Sequence, residues 1–135
     1  VYVIGDAKAK NIQLAHVASA QGENVVAVIA GKNPPLDLSV VPSCVYTEPE
    51  IASVGLTEEG AKAAGIPVKT GKYLTGASGR ILGAQLVCPR ATDMVGELTL
   101  AIQKGLTADD LSAVIHPHPT FSEMLFGAAE GLRLE

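Results

Sequence analysis

The chain has 135 residues, of which 47% are hydrophobic and 18% charged, a composition that supplies a folded core and argues against a disordered segment. Its formal net charge is −4 and it holds three Tyr, two Phe and no Trp, so neither charge nor base stacking favours a nucleic-acid partner. The longest apolar run, residues 25–30, is far shorter than the roughly 20 residues of a membrane-spanning helix, so we expect no membrane partner.

The first part of the chain predicts a strand followed by a helix. Residues 1–4 are apolar and predict a short buried strand that ends at Gly5. Small and apolar side chains dominate residues 13–30, which predicts a helix ending at Gly31, because glycine adopts the left-handed conformation of many helix C-termini. A strand needs neighbouring strands and none precedes this one, so we expect the chain to begin inside a domain whose earlier part is absent.

The pattern changes after a proline-containing linker at residues 32–35, and we place a domain boundary between residues 33 and 34. Beyond it we predict strands over residues 40–46, 51–55, 68–73 and 80–88, with turns over 47–50 and 76–79. We also predict helices over residues 57–64, 92–104 and 120–131, and a short helix that begins at residue 107. Because strands come first and helices later, this region predicts an α+β fold, an antiparallel sheet flanked by helices.

Two cysteines, Cys44 and Cys88, lie far apart and in no paired motif. They predict buried, reduced thiols and a cytoplasmic location.

Residues 115–123 (IHPHPTFSE) form the most unusual segment, because His116 and His118 each precede a proline. Proline disfavours the α region for the residue before it, so we expect both histidines to be extended and to project to the same side. Thr120 and Glu123 have the spacing of a capping box, which predicts a helix that begins at Thr120, directly after the second His-Pro pair.

Three interpretations of this segment remain open. Glu123 completes the helix cap and the histidines have no chemical role, or His116 and His118 bind a metal together with His16 or an acidic residue. The third interpretation is catalytic: Glu123 orients an imidazole, which exchanges a proton at neutral pH. A thiol for such chemistry would come from elsewhere, since neither cysteine lies in a redox motif.

Residues 116–123 (HPHPTFSE) resemble the C-terminal signature of the dihydrolipoyl dehydrogenases, a branch of the pyridine nucleotide–disulfide oxidoreductases. Further segments resemble this family in the same order: 2–6 (YVIGD) with 14–18 (LAHVA), 41–55 (VPSCVYTEPEIASVG), 79–85 (GRILGAQ) and 91–98 (ATDMVGEL). The first two resemble a flavin-contacting segment and the others an interface domain. The His-Pro that precedes His118 favours this branch over the glutathione reductases.

The resemblance implies that His118 is the catalytic base and Glu123 its carboxylate partner. In the family this pair acts across a homodimer interface, on a disulfide and flavin bound mainly by the other subunit. The base takes a proton from dihydrolipoamide, the thiolate attacks the redox disulfide, and electrons pass through FAD to NAD⁺. The implied partners are a second copy of the chain and a dihydrolipoamide-bearing protein.

The resemblance also implies cofactor contacts. Asp6 matches an aspartate that hydrogen-bonds the flavin ribityl chain, and Leu14, Ala15 and His16 match a helix start whose backbone N–H groups face the flavin pyrimidine edge. The G-x-G-x-x-G fingerprints and the redox C-x-x-x-x-C are absent from the chain. We therefore expect the chain alone to hold neither FAD nor NAD stably and to be inactive.

The resemblance covers only the last third of such an enzyme. It implies that residues 1–33 are the C-terminal tail of the FAD-binding domain, in the form of a strand and a helix, and that residues 34–135 are the interface domain. It also implies further chain between Tyr73 and Leu74, either omitted from this sequence or deleted. Two alternatives stay open: a dimerisation or binding module with inert histidines, and the interface domain of a glutathione reductase-like enzyme.

Overall fold

A computed structural model describes residues 1–70, 73–76 and 79–133. Within it the chain divides into two compact units, Val1–Val41 and Pro42–Glu135. Among the described residues, no helix combines the length and the apolar character that crossing a membrane requires.

The first unit contains a short 3-10 turn, Gly5–Ala7, and one long helix, α1 (Ala15–Ile29). The predicted helix is confirmed, and Gly31 directly after its cap has the expected positive φ of 71°. The predicted strand over residues 1–4 is wrong. Ile4 is extended, with φ −130° and ψ 167°, but no described strand pairs with this stretch, so the ladder of hydrogen bonds that defines a strand does not form.

The second unit is built on a five-stranded antiparallel sheet with the order β1-β2-β5-β4-β3. Its strands are β1 (Ser43–Val45), β2 (Ile51–Gly55), β3 (Val68–Thr70), β4 (Tyr73–Gly76) and β5 (Ile81–Val87). The α+β prediction is confirmed. The single strand predicted over 68–73 is wrong, because this region forms part of an antiparallel pair, β3 with β4. The turn predicted over 76–79 lies partly outside the described residues.

The described part of this unit also contains the helices α2 (Glu58–Ala63), α3 (Ala91–Lys104), α4 (Ala108–Ser112) and α5 (Glu123–Arg133). Local sequence explains their ends. Thr57 Oγ1 accepts a hydrogen bond from the Gly60 N–H at 3.0 Å, and Thr107 with Asp110 forms a complete capping box. Gly105 ends α3 with φ 67°.

Helix α5 begins at Glu123, three residues later than predicted. The Thr120 hydroxyl donates to the Pro117 carbonyl at 2.6 Å, toward the preceding segment. The Thr120 N–H still donates to Glu123 Oε2 at 2.8 Å, which is one half of the predicted capping box.

The core of this unit lies between the sheet and α3, which packs on β2 and β5. Leu98 of α3 and Ala84 of β5 are fully buried, and Ile81 of β5 is only 2% exposed. Burial of such side chains is the main favourable term for the fold. Cys44 and Cys88 are free thiols but only half-buried, which corrects the prediction of buried thiols, because β1 lies at the sheet edge and Cys88 follows the end of β5.

Candidate His–Glu site

The imidazole of His118 and the carboxylate of Glu123 lie together at the start of α5. His118 Nδ1 is 2.9 Å from Glu123 Oε1, within hydrogen-bonding distance. The His118 side chain is 81% exposed, whereas that of Glu123 is 37% exposed. The His118–Pro119 peptide bond is cis. The pair that the sequence singled out is therefore in contact, with its imidazole open to solvent.

Glu123 is held by two donors at once. Oε1 faces His118 Nδ1, while Oε2 accepts from the Thr120 N–H at 2.8 Å. The Thr120 N–H first, and then the hydrogen bond from His118, hold the pKa of Glu123 below its ordinary value of 4.5. Its carboxylate is thus ionised at neutral pH and accepts a proton-bearing Nδ1.

This contact decides the tautomer of His118. With Nδ1–H donated to an ionised carboxylate, the neutral imidazole carries its lone pair on Nε2. Among the residues that the structure describes, none is hydrogen-bonded to that Nε2. The arrangement can take a proton at Nε2 and stabilise the resulting imidazolium through Glu123.

His116, two residues earlier, has a different environment. Its side chain is only 5% exposed, and its Nε2 is 3.1 Å from Glu97 Oε1 on α3. Its Nδ1 is 3.1 Å from the Val114 carbonyl oxygen, and its ring lies 6.1 Å from that of Phe126. The sequence predicted that the two imidazoles project to the same side of the segment. In the structure they have different partners and different exposure.

The metal interpretation finds no support at this segment. His116 and His118 use their ring nitrogens on two different carboxylates, Glu97 and Glu123. In the described parts of the chain, no group of three or more His, Cys, Asp or Glu side chains is placed to hold a metal ion. A zinc site needs such a set of converging ligands.

The predicted cofactor contacts all belong to the first unit. Asp6 lies exposed in the 3-10 turn, and Leu14, Ala15 and His16 lie at the N-terminal end of α1, where Leu14 is half-buried and the other two are exposed. An exposed carboxylate and an exposed helix N-terminus, with its positive dipole end, fit a ligand that offers hydroxyl donors and a polar ring edge.

A closed ring of hydrogen bonds fixes the turn that carries Asp6. The Gly5 N–H donates to Gln21 Oε1 at 2.8 Å, Asn11 Nδ2 donates to the Gly5 carbonyl at 2.9 Å, and Gln21 Nε2 donates to Asn11 Oδ1 at 2.7 Å. Gly5 has φ 62°, and a Cβ there would lie 3.2 Å from that of Ala18. The ring ties the turn to α1.

Sequence reasoning missed two of these groups. The Asn11–Gln21 pair has no recognisable spacing signal. Glu97 had one: it lies three residues after Met94 and four before Ala101, both buried, so helical spacing places it on the packed face of α3. A carboxylate on a packed face needs a hydrogen-bonding partner.

Comparison with known protein families gives a match to the pyridine nucleotide-disulphide oxidoreductase dimerisation domain over residues 41–79 and 73–129. Among curated proteins, the chain is similar to the dihydrolipoyl dehydrogenase of Thermus scotoductus, with 44% identity over 153 aligned positions, 98% of this chain and 33% of that protein. It is also similar to those of Halobacterium salinarum and Bacillus subtilis, each with 42% identity over 96% of this chain and 32% of the relative. The chain thus spans about a third of these relatives.

Solved structures give the same fold. The HOCl-induced flavoprotein disulfide reductase RclA of Escherichia coli superposes with a TM-score of 0.85 and 23% identity, over 96% of this chain and 34% of that one. LpdA of Mycobacterium tuberculosis superposes with a TM-score of 0.85 and 24% identity, over 97% and 33%. At this identity the likeness concerns the fold alone.

Proposed function

Because the chain belongs to the family of pyridine nucleotide-disulphide oxidoreductase dimerisation domains, we propose that it is the C-terminal third of a dihydrolipoyl dehydrogenase in which His118 and Glu123 form the general acid/base pair. One observation carries the proposal: the 2.9 Å contact between an exposed imidazole and a carboxylate that a backbone N–H also holds. The similarity to three dihydrolipoyl dehydrogenases along almost the whole chain supports it.

The proposed reaction oxidises a dithiol to a disulfide, so two electrons and two protons leave the substrate. His118 Nε2 accepts a proton from the thiol, and Glu123 stabilises the imidazolium that forms. The thiolate is the stronger nucleophile, so removal of the proton prepares it for attack on a disulfide. The imidazolium then releases its proton, which returns the pair to its starting form.

FAD and NAD⁺ supply the electron acceptors of the proposed enzyme when they are bound. Asp6 and the start of α1, at Leu14, Ala15 and His16, are the residues of this chain proposed to contact the flavin. The exposure of Asp6, Ala15 and His16, and the hydrogen-bonded ring around Gly5, support this assignment. We expect neither cofactor to bind stably to this part alone, because it contains no G-x-G-x-x-G segment.

We also propose that two copies of the chain associate through the interface domain, so that His118 of one copy serves the disulfide of the other. Membership of a dimerisation-domain family supports this association. The exposed imidazole supports it too, since a base that acts across an interface must be reachable from outside its own subunit. A protein that bears dihydrolipoamide is the proposed substrate partner. The cytoplasmic location stays a prediction.

We also propose that the family has further chain between the positions of Tyr73 and Leu74, which is either omitted from this sequence or deleted. The family match supports it, because it falls into two segments that overlap at residues 73–79. The alignments with the relatives support it as well: they extend over 151 or more positions, which exceeds the 135 residues of this chain. The domain boundary between residues 33 and 34 remains a prediction.

Substitution of His118 by alanine in the full-length enzyme tests the proposal. We expect dihydrolipoamide oxidation to fall by about 10²- to 10⁴-fold, the usual contribution of a general acid/base. Diaphorase activity, in which NADH reduces an artificial acceptor, needs no thiol deprotonation and stays near wild type. Equal losses in both reactions would argue against proton transfer by His118. Unchanged dihydrolipoamide oxidation would favour the alternative, a dimerisation module with inert histidines.

A further inference from the structure

The buried imidazole of His116 has hydrogen-bond acceptors on both of its nitrogens. Nδ1 faces the Val114 carbonyl oxygen at 3.1 Å, and Nε2 faces Glu97 Oε1 at 3.1 Å. A carbonyl oxygen and an ionised carboxylate can only accept. A neutral imidazole has one N–H, so one of its nitrogens would point a lone pair at an oxygen. Whichever nitrogen carries the proton, the ring lies within hydrogen-bonding distance of Glu97 on α3.

The surroundings of His116 restrict the movement of its ring. Its side chain is 5% exposed, Glu97 is 37% exposed, and Phe126 of α5 lies 6.1 Å away, ring centroid to ring centroid. A buried ring with an oxygen at hydrogen-bonding distance from each nitrogen has little freedom to rotate. The His116–Glu97 contact therefore fixes residue 116 to α3, on the packed side of the second unit.

Because the chain between the two histidines is rigid, fixing residue 116 also restricts the position of His118. Only Pro117 separates the two histidines, and its ring restricts the backbone. The Pro117 carbonyl accepts from the Thr120 hydroxyl at 2.6 Å, so the segment is also tied on its C-terminal side. His118 is thus held between an anchor on α3 and the Glu123 contact at the start of α5.

We propose that Glu97 and His116 are positioning residues for His118: the contact between them keeps the segment that carries the proposed base within hydrogen-bonding distance of Glu123. This inference rests on the proposed function of His118. Glu97 and His116 touch neither substrate nor cofactor in this account. They act through the placement of the His118 backbone, and reaction rates fall steeply when a catalytic group is displaced by even about 1 Å.

The test measures dihydrolipoamide oxidation and diaphorase activity of the full-length flavoenzyme with Glu97→Ala and Glu97→Gln. We expect Glu97→Ala to lower the turnover number for dihydrolipoamide by about 10- to 100-fold, with diaphorase activity retained. Glu97→Gln keeps an oxygen that accepts from His116 Nε2, so it should restore most of the loss. Asp93→Ala is the matched control, since Asp93 is on the same helix and its 3.1 Å ion pair with Arg90 is exposed.

The outcomes separate this inference from the proposed function. If His118→Ala loses dihydrolipoamide oxidation and Glu97→Ala does not, the positioning role is overturned and the function of His118 stands. If neither variant loses it, the proposed function falls and the positioning role with it. Equal loss of both activities in Glu97→Ala means a purely structural role and also overturns the inference. Should Glu97→Ala not fold, Glu97→Asp, which withdraws the carboxylate by one methylene, replaces it with the same expected selective loss.

Discussion

Replacement of Glu123 by glutamine in the full-length enzyme tests whether this carboxylate controls the proposed base, His118. The two oxygens of Glu123 serve two donors, His118 Nδ1 and the Thr120 N–H. Glutamine has one oxygen and one NH₂ group, so it can accept from only one of them. The backbone N–H is an obligatory donor, whereas an imidazole can change its tautomer. The glutamine oxygen should therefore turn to Thr120 and its NH₂ group to His118.

An NH₂ group that donates to Nδ1 forces the proton of His118 onto Nε2, the nitrogen that accepts a proton in the proposed reaction. We expect the loss in kcat/KM for dihydrolipoamide to approach that of His118→Ala, about 10²- to 10⁴-fold. NADH formation from dihydrolipoamide and NAD⁺, followed by absorbance, measures the loss, and diaphorase activity controls for an intact flavin site. Glu130→Gln, an exposed position on α5, is the matched control. A Glu123→Gln enzyme with wild-type kcat/KM would refute the reasoning.

Three further predictions concern stability and the chain by itself. The Thr92 hydroxyl and N–H, which donate to Glu50 at 2.7 and 3.0 Å, hold the pKa of Glu50 below its ordinary value of 4.5. The stabilisation that these hydrogen bonds to the Glu50 carboxylate give is therefore present above pH 4.5 and is lost as pH falls through the folded-state pKa. Glu50→Ala should lower Tm at neutral pH, and the difference in Tm from wild type should shrink in acid. A difference in Tm that stays constant with pH would contradict this. Leu98→Ala, at a fully buried position, should lower the free energy of unfolding by about 2–5 kcal/mol in urea titrations, and a loss below about 1 kcal/mol would show that the core is not packed around it. The isolated chain should form no NADH from dihydrolipoamide and NAD⁺, and turnover without added subunits would show that it is catalytically complete.

Helix ends and strands with strong local signals could be predicted from the sequence. Thr57 and Thr107 cap their helices with their own side chains, and Gly105 supplies the left-handed residue after α3. These features depend on neighbouring residues alone, so the sequence contains all the information they need. The His118–Glu123 contact belongs to the same class, because five residues and a helix start bring the two side chains together.

Features that depend on distant parts of the chain could not be predicted in this way. Residues 1–4 are apolar and Ile4 is extended, but no described strand pairs with them, and pairing is a tertiary property. His116 and Glu97 are 19 positions apart and meet only because α3 and the His-Pro segment pack together. The division of residues 68–76 into β3 and β4 likewise depends on how β4 pairs with β5.

Mixed dimers of the full-length enzyme test the central claim, that His118 serves sulfur chemistry on the other subunit. One subunit carries His118→Ala, and the other lacks a cysteine of the proposed redox disulfide, which lies outside this chain. Each homodimer should be inactive in dihydrolipoamide oxidation. If His118 acts across the interface, the mixed dimer contains one complete site and should recover roughly half of the wild-type activity, as expected for two equivalent sites in a twofold dimer. A mixed dimer as inactive as its two parents would contradict the account.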